Sequence, residues 1–343
     1  MKKVCVFTLY PEKGASSKYR FFLYKKDLQA KFELKIFSFW NDAYVEKYMH
    51  YKKKYAIRIA FSYLIAFAKR LFQLLFIAPK SDVCFFQKAC IPKFRYNHIA
   101  NLKKKGVRVV FDIDDAVYVG KRDYSDNIAE LSDVVICGNE VLSNHYRKKN
   151  PNVILMPTVE NTNLFRYYWK NTFGNKTIGW IGSMSTIDNL DLVVSPINKI
   201  VNKHPEVNFL IISNTALDYE KKIKNCRFVK WNKETYISDL SNISIGIMPL
   251  KNSEVNRGKC GFKLIQYLNL KKPVVASDVG VNKDIVGACG LLANDEREWI
   301  NAIESLLMDE ENYSCVEKNI ENSFFEKYSY EKNLDKLCTL FGS

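Results

Sequence analysis

Short runs rich in β-branched and aromatic residues alternate with amphipathic stretches along nearly the whole chain, and this restricts the fold more than any other feature. Strands are predicted at Lys3–Thr8, Leu34–Phe39, Val83–Gln87, Arg108–Asp112, Val134–Cys137 and Val153–Met156, with helical segments such as Tyr19–Leu28 and Asn97–Lys105 between them. The pattern restarts with strands at Thr177–Ile181, Asn208–Ser213, Arg227–Lys230, Ile243–Pro249, Pro273–Ser277 and Gly290–Leu292. Helices fit Asp191–Lys203, Thr235–Leu240, Gly261–Leu270, Arg297–Met308 and Tyr330–Phe341. Such alternation demands crossover connections, and therefore parallel sheets with ligand loops at the carboxyl ends of the strands. Residues 158–175, with Asn-rich turns and no clear period, read as a linker. The expectation is an α/β chain of two doubly wound domains, 1–157 and 176–328, followed by a last helix at 329–343. The length of 343 residues is sufficient for two such cores.

Charge is unevenly placed. Residues 1–110 carry 24 basic and 6 acidic side chains, whereas 111–343 carry 28 and 31. An N-terminal part this basic implies an anionic partner, a membrane surface or a nucleic acid. Nine cysteines at irregular spacing, with no CxxC pair, point to reduced thiols in a cytoplasmic protein rather than a disulfide framework or a zinc site. The N-terminal apolar run stops too soon for a signal peptide and reads as a first strand. The four histidines sit singly, without ligand spacing, and no metal is expected.

The most apolar stretch is Tyr55–Ile77. Arg58 and the Lys69–Arg70 pair leave only Ile59–Ala68 uninterrupted, short of the roughly 20 residues that a spanning helix needs. At about 100° per residue, Arg58, Ser62, Lys69 and Gln73 fall within a sector of roughly 60°. Two readings are open. The helix is buried between a sheet and its neighbours, or part of it lies at a bilayer interface beside Lys52, Lys53 and Lys54.

The chemistry concentrates in Asn256–Val286, NRGKCGFKLIQYLNLKKPVVASDVGVNKDIV. Arg257, Lys259 and Lys263 surround Gly258 and Gly261 immediately before a helix, and Gly280 and Val281 follow an apolar strand at the start of another. Glycines let backbone approach a ligand, helix N-termini offer N–H groups to anions, and three cations neutralise a diphosphate.

This run resembles the donor-binding signature of GT-B glycosyltransferases of the group 1, family-4 retaining type. IGWIGSMSTIDNL, with Gly182-Ser183, is similar to the family's first C-domain strand and turn. GASSKYR, Gly14–Arg20, is similar to its first acceptor-domain loop, and FEKYSYEKNLDKL to the last helix, which crosses back to the N-terminal domain. The resemblance implies two Rossmann-like domains with parallel sheets facing across a cleft. The basic domain 1–157 takes the acceptor, and the other binds a nucleotide-diphosphate sugar. It further implies a metal-independent retaining transferase, with no cofactor, acting on a lipid-linked or saccharide acceptor in surface polysaccharide or glycoconjugate biosynthesis. Its place would be the inner face of the membrane.

Carried over position by position, the resemblance makes Arg257, Lys263 and Asp114 catalytic candidates. Gly182, Ser183, Lys259, Gly261, Gln266, Gly280 and Val281 fall on donor positions, and Gly14, Ser16, Ser17, Arg20, Asp112 and Asp115 on the acceptor side. Two family glutamates are absent, falling on Gly258 and Gln266; a Gln carbonyl still accepts one ribose bond. The basic pair usual after Gly182-Ser183 is also missing from Met184–Ile187, which shifts diphosphate neutralisation to Arg257, Lys259 and Lys263.

Phe111–Val117, FDIDDAV, offers a rival: it resembles the first motif of haloacid-dehalogenase-type phosphatases, which would make an Asp the nucleophile. That motif ordinarily ends the first strand of its domain, and here it follows three. For Asp115, capping the helix that follows is as ready a reading as a contact with the acceptor. A basic nucleic-acid- or membrane-binding protein without catalysis is the other class, but no helix-turn-helix, zinc or ribonucleoprotein signature accompanies the charge.

Overall fold

The computed structural model describes residues 1–120 and 123–343. The chain divides into two compact units, Met1–Thr158 with Glu331–Ser343, and Val159–Tyr330. The sheets are α/β and parallel throughout, as the alternation requires.

The first unit holds β1 (Lys3–Thr8), β2 (Glu33–Ser38), β3 (Val83–Gln87), β4 (Arg108–Ile113), β5 (Val134–Cys137) and β6 (Val153–Leu155), in the order β2-β1-β3-β4-β5-β6. Burial sorts centre from edge. Every residue of β3 and β5 is buried, whereas edge strand β2 is only partly so, as expected where parallel strands are covered on both faces. The strand order turns back between β1 and β3, so the loops leaving these two strands part and open a crevice. Helix α1 (Ala15–Arg20) follows β1, and α2 (Ala56–Phe72) is the longest helix in the crossover from β2 to β3.

The second unit holds β7 (Thr177–Ile181), β8 (Asn208–Ser213), β9 (Cys226–Lys230), β10 (Ile245–Met248), β11 (Val274–Ala276) and β12 (Gly290–Leu292), in the order β12-β11-β10-β7-β8-β9. This is the order of a dinucleotide-binding sheet, with its switch point between β7 and β10. The stretch 158–175 is no free linker. It contains α3 (Thr162–Arg166) and is tied to the end of α4 (Phe262–Asn269): Thr162 Oγ1 donates to Asn269 Oδ1 at 2.7 Å and Trp169 Nε1 to the Asn269 carbonyl at 2.7 Å. Phe165 is also wholly buried, and Trp169 and Phe173 lie against the rings of Phe325 and Tyr313, so apolar and polar side chains together anchor the stretch. Helix α5 (Asn282–Val286) follows β11.

Tyr267 fastens α4 to the sheet. Its hydroxyl accepts from the Ile181 N–H at 3.0 Å and donates to the Ile247 carbonyl at 3.1 Å, joining β7 to β10 at the switch point. The last helix, α6 (Tyr330–Gly342), packs with the first unit: Asn333 Nδ2 donates to Tyr24 and to the Pro157 carbonyl, and Phe341 meets Phe32 and Phe85 edge-on. All nine cysteines are free thiols.

Candidate functional site

In the second unit the loops leaving β7 and β10 flank the switch point. β7 ends in Trp180-Ile181 and turns at Gly182-Ser183, where the Thr186 N–H donates to the Ser183 carbonyl at 2.9 Å. A methyl group at Gly182 would overlap the Trp180 ring and the end of Lys263. These three groups therefore touch. Lys263, in the first turn of α4, lies with its ammonium 5.4 Å from the Trp180 ring centroid and 3.5 Å from Thr186 Oγ1. Burial, with the charge of Lys259 behind it, pulls the ammonium down to about 8. A cation held at such cost among an aromatic ring, a glycine turn and a helix N-terminus suits an incoming anion.

Two glycines are required by backbone geometry. Gly261, at the N-cap of α4, has φ 67° and presses on Ile285; Gly280 has φ 61° and lies against the Arg257 carbonyl. Both loops of the Asn256–Val286 run are thereby folded against each other, with Val281 opening α5. Arg257 ends the one-turn helix Glu254–Arg257, exposed, with Nε donating to Asn252 at 2.8 Å. It borders the same loops but points along its own turn.

Gln266 is buried, and its Nε2 donates to Glu160 at 3.3 Å; the Tyr236 hydroxyl donates to the same carboxylate oxygen at 3.3 Å. A buried carboxylate thus stands beside the position that lacks one. Glu160 falls in the stretch read as linker and carried no motif.

In the first unit the predicted acceptor residues divide into two groups. Arg20 and Asp112 are wholly buried. Arg20 Nε donates to both oxygens of Asp112 at 3.1 Å, Nη2 closes the ion pair, and Nη1 holds the Met156 carbonyl at 2.6 Å. Their charges bind α1 to β4 and do not face a ligand, which corrects their assignment to the acceptor. The burial of Asp112 also removes it as an attacking nucleophile. Ser17, fully buried, donates to Gln87 Oε1 at 2.8 Å and is likewise a fastening; Gly14 lies packed against Tyr10.

Ser16, Asp114 and Asp115 form the second group, together with a residue that no motif marked, Lys88. Ser16 Oγ donates to Asp114 at 3.1 Å and accepts from Gln87 Nε2 at 2.9 Å. Lys88 leaves the end of β3 in the left-handed region, φ 69°, and its ammonium pairs with Asp115 and lies 3.7 Å from Asp114. Asp115 thus holds Lys88 by its side chain; the turn that follows is capped by Ala116, without a side-chain bond. Burial raises the Asp114 carboxyl, Lys88 opposing and Asp115 adding to the rise. This cluster sits at the switch point of the first sheet. Among the described residues no group of three or more His, Cys, Asp and Glu side chains is gathered for a metal ion.

A groove of about 1100 Å³ also opens on the first unit at the opposite strand ends, lined in part by Lys103, Arg108, Asp133 and Lys149. Lys103 and Lys149 pair there with Asp133 and Glu130, so it has little charge to spare for an anion.

Residues 175–309 match the family model of glycosyl transferases group 1. No curated protein matches the sequence. Solved structures share its fold: a glycosyltransferase from Rickettsia africae, 10% identical over 99% of this chain and 98% of that one, superposes with a TM-score of 0.70. HepE of Anabaena, solved with UDP and glucose, is 11% identical with full coverage of both chains and a TM-score of 0.67. TarM of S. aureus, solved with UDP, is 18% identical with a TM-score of 0.61; the match covers 80% of this chain but only 58% of TarM. The two sheets with their switch points, the glycine-folded cation loop and the matched stretch agree: residues 175–309 match the group 1 glycosyl transferase model, in a chain whose two-domain α/β fold is that of solved glycosyltransferases.

Proposed function

We propose that the protein transfers a sugar from a nucleotide-diphosphate donor to a lipid-linked or saccharide acceptor, with retention at the anomeric carbon. The observation that carries this is Lys263, a half-buried ammonium at the N-terminus of α4 against Trp180, Gly182 and Thr186, with Lys259 behind it. The diphosphate sits on these cations and on the first amides of α4, and preorganised charge there stabilises the leaving group. The nucleoside lies toward Gln266 and Glu160, the carboxylate taking the ribose hydroxyl contacts. The bond from the anomeric carbon to the diphosphate breaks, the acceptor oxygen bonds to that carbon, and its proton passes to a leaving phosphate oxygen. Arg257 swings from Asn252 to the diphosphate.

The first unit takes the acceptor, with Ser16, Asp114 and Lys88 holding its hydroxyls. Basic side chains neutralise the donor, so the reaction runs without a metal. The excess of cations in residues 1–110 supports a place on the cytoplasmic face of a membrane, in the assembly of a surface polysaccharide or glycoconjugate. A nucleic-acid partner finds no recognition motif in the same segment.

Thermal shift with UDP-, GDP- and dTDP-sugars, each with and without EDTA, tests the donor half. One of these nucleotides raises the melting temperature of the wild type and not of Lys263→Met. Proton NMR of the product's anomeric signal then reads retention. Stabilisation by none of them, or equal stabilisation of the variant, refutes the assignment.

A further inference from the structure

Helix α2 presents two unlike faces. Ile57, Phe61, Leu64, Phe72, Leu75 and Phe76 are all strongly exposed, Ile57 at 87%. At about 100° per residue they occupy an arc of roughly 120°. The arc continues unbroken where the helix widens at Gln73–Ile77. By length and composition Ala56–Lys80 is apolar enough to cross a membrane, and only 11% of its most apolar window is buried. A soluble surface rarely leaves so large an apolar patch uncovered.

The opposite face is fixed. Tyr63 donates to the Pro92 carbonyl at 2.6 Å and meets Phe39 edge-on, while Phe67 meets Phe94. The wholly buried Arg70 guanidinium holds the carbonyls of Cys90 at 2.8 Å, Phe37 at 3.0 Å and Thr8 at 3.2 Å, over the rings of Phe7 and Phe39. To span a bilayer the helix would have to strip Arg70 of these partners and carry it into hydrocarbon, which is prohibitive. A helix pinned in this way can only lie flat.

The position of the pin decides what the flat helix accompanies. Thr8 ends β1 and Phe37 is next to last in β2, so Arg70 docks at the carboxyl edge of the sheet. The residues before it, Ala56–Lys69, overhang that edge by about 20 Å at 1.5 Å per residue. Their inner contacts, Phe39, Pro92 and Phe94, all lie in loops leaving β2 and β3. Lys88 leaves β3 itself, and Ser16 and Asp114 follow the neighbouring strands β1 and β4 at the same edge of the sheet.

Charge names the occupant of the outer face. From Lys47 to Phe111 the chain has fifteen basic side chains and one acidic, Asp82. Lys52, Lys53 and Lys54 lead exposed into the helix, and Arg58 and Lys69 line one border of the apolar arc. Tyr55 is ringed by Lys47, Lys54 and Arg58 at 5.4, 5.7 and 5.9 Å from its centroid. An apolar stripe bordered by cations and an amphipathic aromatic matches the boundary between headgroups and acyl chains.

We propose that α2 and its continuation to Ile77 lie in the plane of an anionic bilayer surface with the Ile57–Phe76 arc immersed, and that this brings the acceptor-side loops to the lipid. The location of the acceptor rests on the function proposed above; the docking surface does not.

Pelleting of the full-length protein with vesicles of phosphatidylcholine, with and without phosphatidylglycerol, tests the surface. Binding needs the anionic lipid, weakens at high salt, and drops by roughly tenfold or more in Phe61→Glu/Leu64→Glu. That variant keeps the wild-type melting temperature and UDP affinity, since both side chains point away from the core. Unchanged vesicle binding by the variant overturns the proposal. So does a concentration-dependent dimer that the variant abolishes while wild type ignores vesicles, or binding of single-stranded RNA in preference to anionic vesicles. Resistance of membrane-bound protein to alkaline carbonate would make the helix a span and end the flat reading. Failure of wild type to bind any of UDP, GDP and dTDP, with vesicle binding intact, would refute the proposed function alone.

Discussion

Replacement of Lys263 by Met keeps the aliphatic stem against Trp180 and removes only the charge. An ammonium drawn from 10.5 down to about 8 is disfavoured in the fold. The unfolded chain binds more protons between these two values, so stability rises with pH across that window. Below about pH 8 the lysine is charged in both states, and burial costs the fold about 3 kcal/mol. Lys263→Met is therefore expected to be more stable than wild type at neutral pH, by up to about 3 kcal/mol in urea unfolding. The gap should close as the pH approaches 10. Binding should move the other way. A charge-assisted hydrogen bond to phosphate contributes about 1.5–3 kcal/mol, so UDP affinity should fall by roughly 10- to 150-fold. In wild type, calorimetric UDP affinity should be flat below pH 8 and decline above it as the ammonium loses its proton. A variant less stable than wild type, or one binding UDP as tightly, would falsify the view that this lysine is held strained for an anion.

Other perturbations separate fastening from function. Arg20→Ala leaves Asp112 buried and alone, and should cost about 3–5 kcal/mol in chemical unfolding. Lys88→Met should cut turnover by at least tenfold with donor affinity unchanged. Its loss of stability should shrink toward acid pH, where the raised Asp114 carboxyl takes a proton and needs no partner. Gly261→Ala forces φ 67° on an L side chain and a contact on Ile285, and should lower stability by about 2 kcal/mol in thermal unfolding. Glu160→Gln should weaken UDP binding more than binding of inorganic pyrophosphate, because it touches only the nucleoside side.

The architecture was largely readable from the residues. Strand centres such as Val83–Gln87 and Asn208–Ser213 carry their assignment in unbroken β-branched and aromatic runs, because parallel strands are buried on both faces. The Asn256–Val286 run was readable because cations and left-handed glycines are local features. Lys88 was not: its part depends on a backbone twist at the end of β3 and on partners 26 and 27 positions later. Glu160 was hidden in a stretch without period, and its proximity to Gln266 arises only when α3 packs on α4. Arg20 and Asp112 misled for a related reason. Residue type and strand-end position suggested ligand contacts, whereas their mutual pairing across 92 positions was invisible in one dimension. Arg70 was read as one of the charges interrupting an apolar run; about 100° of rotation from Lys69 turns it inward to the carbonyls.

The chain passes from the first unit to the second after Thr158 and returns after Tyr330, so the first unit is closed by its own last thirteen residues. During synthesis the ribosome delivers all of the second unit before the segment that covers Phe85 and Phe32. The half made first is therefore finished last, and a nascent chain stalled near residue 330 would present an open apolar seam on an otherwise assembled sheet, a natural target for chaperones.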